Sequence, residues 1–215
     1  MRFKAFEKTI SEINNLTLPG IETQLTMSPP FREQLLERFK EERKSAKLAA
    51  VLSLFYPSLE GETLLVLILR KSYNGVHSAQ VGFPGGKPEP IDASLEATAL
   101  RETWEEIGVS SDIIKVIREL SSIYIPPSNF LVSPFLGIAQ SPLTFTLQPS
   151  EVDAVLEVSL SDFMNDKSEV VSEILASDGT AFEVPAFKLN ERIVWGATAM
   201  MLIEIKSMLN QILKK

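Results

Sequence analysis

A mixed α/β (α+β) fold is what this sequence predicts, and three patterns predict it. Apolar runs of strand length occupy 48–57 and 63–70, a stretch free of glycine and proline at 92–107 carries apolar residues on one helical face, and a periodic apolar segment runs from 196 to 215. Taken in order, the segment 1–47 reads as a helical extension. Within it Phe31, Leu35, Leu36 and Phe39 recur at helical spacing, predicting over 30–47 a packing helix outside the catalytic unit. The apolar runs at 48–57 and 63–70 are separated by Pro57, Ser58 and Gly61, which reads as two buried strands joined by a turn, with a third strand ending near Phe83. The next segment, with Leu95, Ala99 and Ile107 on one face, reads as a helix that Asp92 caps at its N-terminus and Gly108 ends in a left-handed conformation. Strands are expected at 113–125, 132–139, 152–158, 182–187 and 192–194, with loops at Pro126-Pro127 and Pro142. The last segment, from Gly196, reads as an amphipathic helix, and without repeats or linkers the chain reads as one domain over 1–215.

Composition removes several classes of function. With 215 residues and 45% hydrophobic content, the chain can bury a core of its own. It has no cysteine, so disulfides, thiolate metal sites and cysteine nucleophiles are excluded. Lys and Arg number 21 against 28 Asp and Glu, and the net charge of −7 argues against a nucleic-acid partner, whose phosphates call for a broad positive field. No apolar stretch is long enough to cross a bilayer and the first twenty residues hold no apolar signal core, so no membrane partner and a cytoplasmic location are expected.

Glu102, Glu105 and Glu106 stand at i, i+3 and i+4, which on a helix projects three carboxylates from one face. Isolated, such a cluster is usually a solvated acidic face; clustered carboxylates are also what hard divalent cations such as Mg²⁺ or Mn²⁺ seek. The segment Phe83-Pro84-Gly85-Gly86-Lys87 upstream favours the second reading, because two successive glycines after a strand let the backbone approach another group closely.

These residues resemble the Nudix family, whose box reads approximately G-x5-E-x7-R-E-U-x-E-E-x-G-U with U apolar. The chain supplies, over 86–109, Gly86, Asp92, Arg101, Glu102, Glu105, Glu106, Gly108 and Val109. Asp92 replaces the first Glu, eight residues instead of seven separate it from Arg101, and Thr103 fills the first apolar slot. The lengthened spacing is similar to that of the coenzyme A pyrophosphatase branch. That branch also carries an upstream element matched here by Arg70, His77, Gln80, Val81, Phe83, Pro84, Gly85 and Gly86, but not by Asn74, Gly75 or Ala79. Gly75 stands where the branch places an arginine. A further likeness is the run Val194-Trp195-Gly196-Ala197-Thr198-Ala199.

The resemblance implies the Nudix fold, a mixed sheet sandwiched between helices, and hydrolysis of a phosphoanhydride with Mg²⁺ or Mn²⁺. Glu105 and Glu106 are then the principal metal ligands, Glu102 a ligand or water-activating group, and Arg101 the partner that orients them. Glu151, in a loop, is either a further ligand or base or a solvated carboxylate, and Trp195 either stacks on an adenine or packs in the core. Arg70, His77, Gly85, Gly86 and Lys87 are the expected substrate contacts, with pairing to an acidic neighbour as the alternative for Arg70 and a structural role as the alternative for His77. The implied substrate is a small nucleotide of the coenzyme A type, with other nucleoside diphosphate derivatives or a non-catalytic binding module as alternatives; a homodimer is compatible with the sequence.

Overall fold

A computed structural model describes residues 1–71, 80–175 and 181–213. Three short helices come first, α1 (Phe3–Ile10), α2 (Gly20–Leu25) and α3 (Arg32–Arg38). Strands β1 (Lys47–Pro57), β2 (Thr63–Arg70), β3 (Val81–Gly82) and β4 (Gly85–Gly86) lead into helix α4 (Leu95–Ile107). There follow β5 (Ile114–Glu119), β6 (Ile123–Ile125), β7 (Phe130–Ala139), β8 (Val152–Ser159), α5 (Leu160–Met164), β9 (Glu169–Leu175), β10 (Ala181–Leu189), β11 (Arg192–Trp195) and α6 (Gly196–Leu213).

Among the described residues the larger sheet has eight strands on the path β3-β2-β1-β7-β5, with β4 on β1, β6 on β7 and β8 on β2. It is mixed because β1 and β7 run parallel while the other pairings are antiparallel. Strand alternation sends β1 side chains to two cores. Leu52 and Leu54 pack with Ala99 and Ile107 of α4, whereas Phe55 joins Phe6 of α1 and Met200, Leu202 and Ile205 of α6 on the opposite face. The sheet is thus sandwiched between helices, as expected. A second sheet, β11-β10-β9, carries the chain into α6.

Several boundaries differ from the sequence reading. The expected helix over 30–47 is only α3 followed by a 3₁₀ turn, Glu42–Ser45. Beyond Phe39 the segment has no apolar stripe, and exposed pairs such as Glu41–Lys44 add only about 0.2–0.5 kcal/mol each to a helix. The strand expected over 113–125 is two, β5 and β6, both on β7. Helices α1 and α2 fall within the helical extension expected over 1–47, whereas β9 and α5 had no reading. The amphipathic helix expected from 196 is buried nearly all round: even Glu204 and Lys206 are inside, the first accepting from Gln24 Nε2 at 2.9 Å and the second paired with Glu169 at 2.6 Å. Finally, Ser94 and not Asp92 caps α4, its side chain accepting from the Ala97 N–H at 3.1 Å. Gly108 ends α4 as expected, at φ 74°.

The first helix is part of the core. Phe6 is wholly buried with its ring centroid 5.1 Å from that of Phe55. Phe6→Ala is therefore expected to lower the unfolding free energy by about 3–5 kcal/mol, as core aromatic truncations do; denaturant titration checks it, and a loss below about 1 kcal/mol would mean that the helix is dispensable.

Candidate active site

The site forms where α4 passes beneath β4. The Gly85-Gly86 strand pairs antiparallel with Val51 and Ala50 of β1, leaving no room above it for side chains. A Cβ at Gly85 would fall 2.6 Å from Val51 Cα and collide with the Ala50 carbonyl, and the residue adopts φ 148°; a Cβ at Gly86 would land on the Glu102 carboxylate. This close approach lets the Gly85 N–H donate to Glu106 Oε2 at 2.8 Å. Glu106 is only 1% exposed, and Arg70 binds the same junction from β2, its Nη1 3.2 Å from Glu106 Oε1 and its Nη2 donating to the Gly85 carbonyl at 2.8 Å.

Arg101 holds the helix surface together. Its guanidinium donates to Asp92 through Nε and Nη2, both at 3.0 Å, to Glu105 at 2.8 Å, to Glu102 at 3.2 Å and to the Lys87 carbonyl at 2.8 Å. This pairing holds the Asp92 carboxyl well below the usual range, at about 2, and raises the Arg101 guanidinium further. Asp92, expected as a helix cap, is instead the second carboxylate of this clamp; it stands outside the helix in the lengthened loop and also accepts from Thr98 and the Glu89 N–H. Thr103, in the apolar slot, is fully buried, with its hydroxyl satisfied by the Ala99 carbonyl at 2.7 Å.

Glu102, Glu106 and Glu151 each offer a carboxylate oxygen within 4.8 Å of the others. Glu105 is not in this group: its side chain is 43% exposed and turned to Arg101. Glu151 arrives from a loop laid along the end of α4, where the Thr146 and Gln148 N–H groups each donate at 3.0 Å to the Ile107 and Glu106 carbonyls, while the Lys71 N–H takes the Glu151 carbonyl at 2.8 Å. All three are hard oxygen donors, from buried Glu106 through half-buried Glu102 to exposed Glu151, and like charges gathered this closely fit a divalent metal. Burial pushes the Glu106 carboxyl up to about 7 against the opposing pull of Arg70 and the Gly85 N–H, and also raises Glu102.

Beside this cluster lies a cavity of about 560 Å³ lined by Arg70, Gly85, Gly86 and Lys87 at one side and by Phe31, Phe130, Trp195 and Met201 elsewhere. Lys87 sits over the Phe130 ring, 5.5 Å from its centroid. Trp195, left open between core and site, is half-buried on the cavity wall, joined through Phe182 (6.4 Å between centroids) to Phe31 (4.9 Å). The segment expected as packing outside the catalytic unit therefore lines the site. Phe31 and Arg32 gave no functional signal in the sequence, since their spacing matches any packing helix. Lys71 donates to the Pro149 carbonyl at 2.6 Å. His77, Asn74, Gly75 and Ala79 lie outside the described residues.

A pH dependence of stability follows from Glu106. Its folded pKa lies above the usual 4.5, so below pH 4.5 both folded and unfolded forms carry the proton and its contribution is intact. As pH rises toward about 7 the unfolded form ionises first and that contribution is lost. In chelator, the parent should lose stability between pH 4.5 and 7 relative to Glu106→Gln, read by urea unfolding; parallel curves would show that Glu106 does not titrate in this window.

Residues 47–174 match the NUDIX domain family model. The chain is 30% identical to the uncharacterized Nudix hydrolase NudL of Photorhabdus laumondii over 66% of this chain and 74% of that protein. It is also 30% identical to the mitochondrial Nudix hydrolase 15 of Arabidopsis thaliana over 82% of this chain, spanning 64% of that relative's length. The fold is similar to the crystal structure of a MutT/nudix family protein from Enterococcus faecalis, with TM-score 0.50 and 18% identity over 84% of this chain and 70% of that one. No helix among the described residues is long and apolar enough to cross a membrane. The family match spans the sheet, the glycine strand and the glutamate helix that build the carboxylate cluster, and the chain belongs to the NUDIX domain family as a Nudix hydrolase.

Proposed function

We propose that this chain is a divalent-metal-dependent pyrophosphatase that cleaves the diphosphate of coenzyme A or an acyl derivative, giving 4′-phosphopantetheine and adenosine 3′,5′-bisphosphate, with Mg²⁺ or Mn²⁺ as the cofactor. The observation that carries the reading is the convergence of Glu102, Glu106 and Glu151 beside an apolar cavity that continues from the Gly85-Gly86 strand. Glu102, Glu106 and Glu151 would hold a divalent cation, which when bound would offset the charge of the diphosphate and favour ionisation of the attacking water.

The chain's own residues have distinct parts. Glu106, fixed by Arg70 and the Gly85 N–H, is the most rigid ligand; Glu102 is oriented by Arg101 Nη1; Glu151, exposed at the rim, can complete the set or accept the proton of the attacking water. Glu105 supports the site through Arg101. Gly85 and Gly86 keep the floor of the phosphate side free of side chains, and Lys87 and Arg70 bring positive charge to the cavity edge. Phe31, Phe130, Trp195 and Met201 offer apolar and aromatic surface. That lining favours a substrate with an apolar arm over one carrying a second sugar.

Glu151→Gln and Glu106→Gln are expected to lower kcat by about 10²-fold or more, and Glu105→Gln, acting through Arg101, by about tenfold. Product mass analysis over coenzyme A, an acyl-CoA, dephospho-CoA, NADH and ADP-ribose, with Mg²⁺ or with chelator, ranks the substrates. Preference for ADP-ribose or NADH moves the assignment to a broader nucleoside diphosphate hydrolase, and turnover in excess chelator removes the metal mechanism.

A further inference from the structure

Lys206, buried, and Arg118, half-buried, both have a visible reason to be where they are. Lys206 is 2% exposed and held by Glu169 at 2.6 Å and the Asn165 carbonyl at 3.0 Å. Arg118 spans the carbonyls of Ile13 and Leu16 at 2.8 and 2.7 Å. Arg32 differs. It is 7% exposed, it lines the cavity, and among the described residues it has no carboxylate partner. Its Nη2 donates to the Tyr124 carbonyl at 2.6 Å, while its buried Nε has no hydrogen-bond partner. Arg43, over the ring of the same Tyr124 at 5.7 Å from its centroid, adds a like charge. Desolvation, and then repulsion from Arg43, lower the Arg32 pKa. Leaving a guanidinium buried with one neutral acceptor is costly in free energy, and an incoming anion that takes the remaining N–H groups recovers much of that cost.

We infer that Arg32 is an anion subsite of the cavity and binds a phosphate monoester carried by the substrate apart from the diphosphate that is cleaved. The inference rests on the pyrophosphatase reading for the identity of the substrate, and it assigns to the wall of the cavity a charge-reading role distinct from the carboxylate cluster. Of the other cations near the site, Arg70 pairs with Glu106 and Gly85, Lys71 is held by Pro149, and Lys87, over the Phe130 ring, lies at the edge of the cavity beside Gly85 and Gly86. A planar guanidinium offers two parallel N–H donors to phosphate oxygens, which fits a terminal phosphate better than an uncharged ribose hydroxyl.

The test compares the full chain with Arg32→Gln and Arg32→Lys. Dissociation constants are measured by calorimetry with Mg²⁺ present for adenosine 3′,5′-bisphosphate, adenosine 5′-monophosphate and inorganic phosphate, and kcat/KM is measured for coenzyme A against dephospho-CoA. The parent should bind the bisphosphate about tenfold or more tightly than the monophosphate. Arg32→Gln should abolish that difference and bring the kcat/KM ratio near one through KM, and Arg32→Lys should restore part of it. Thermal unfolding separates this from a structural role: an unpaired buried cation predicts that Arg32→Gln holds or gains stability, and a large loss in both variants overturns the inference. It is also overturned if the bisphosphate preference is absent in the parent or survives undiminished in Arg32→Gln, or if inorganic phosphate alone shows the same dependence on Arg32. Arg32-dependent preference for the bisphosphate without turnover of any diphosphate would leave the subsite standing and remove the pyrophosphatase reading instead.

Discussion

The burial of one carboxylate organises this molecule. Glu106 enters the junction between α4 and the sheet, where a side-chain charge is unfavourable unless donors meet it, and the two that do, the Gly85 N–H and Arg70, fix the surrounding backbone as well. The Gly85 donor requires β4 to lie against β1 so closely that a Cβ cannot fit. Arg70 reaches Glu106 because β2 is held next to β1, with Leu65 opposite Phe55. The sheet register and the placement of the Glu106 carboxylate thus meet in the same contact.

Charge is then balanced in layers around that point. Arg101 gathers Asp92, Glu102, Glu105 and the Lys87 carbonyl into one network, so that carboxylates at repelling helical spacings share a guanidinium. Beside that network Glu102, Glu106 and Glu151 come within 4.8 Å of one another, met by only two guanidiniums, Arg70 on Glu106 and the shared Arg101 on Glu102, and a divalent cation fits this excess of negative charge. In a chain of net charge −7, a polyanionic substrate depends on such local positive charge, and the cavity edge provides it at Arg70, Lys87 and Arg32.

The family match at 47–174 contains the carboxylates and the glycine strand but not Phe31, Arg32, Trp195 or Met201. Those residues come from α3, β11 and α6, elements that pack against the sheet from outside the matched segment and close the cavity. The carboxylate cluster and much of the cavity wall therefore belong to different parts of the chain.

The sequence by itself determined the elements whose physics is local. The apolar runs of β1 and β2, the glycine-free helix ending at Gly108, and the spacing of Glu102, Glu105 and Glu106 are each specified within one or two turns or strands. Tertiary structure decided whatever depends on residues far apart in sequence. It brought Glu151 to Glu106 by docking a loop on the end of α4, turned Glu105 to Arg101, and made Asp92 a partner of Arg101, which left Ser94 to cap the helix. It also split the strand expected at 113–125, because pairing with β7 is interrupted between β5 and β6. Periodicity reports which face of an element is apolar but not what that face meets, so a helix seen as packing became a cavity wall, and a helix seen as amphipathic was enclosed once α1, α2 and the second sheet covered its polar side.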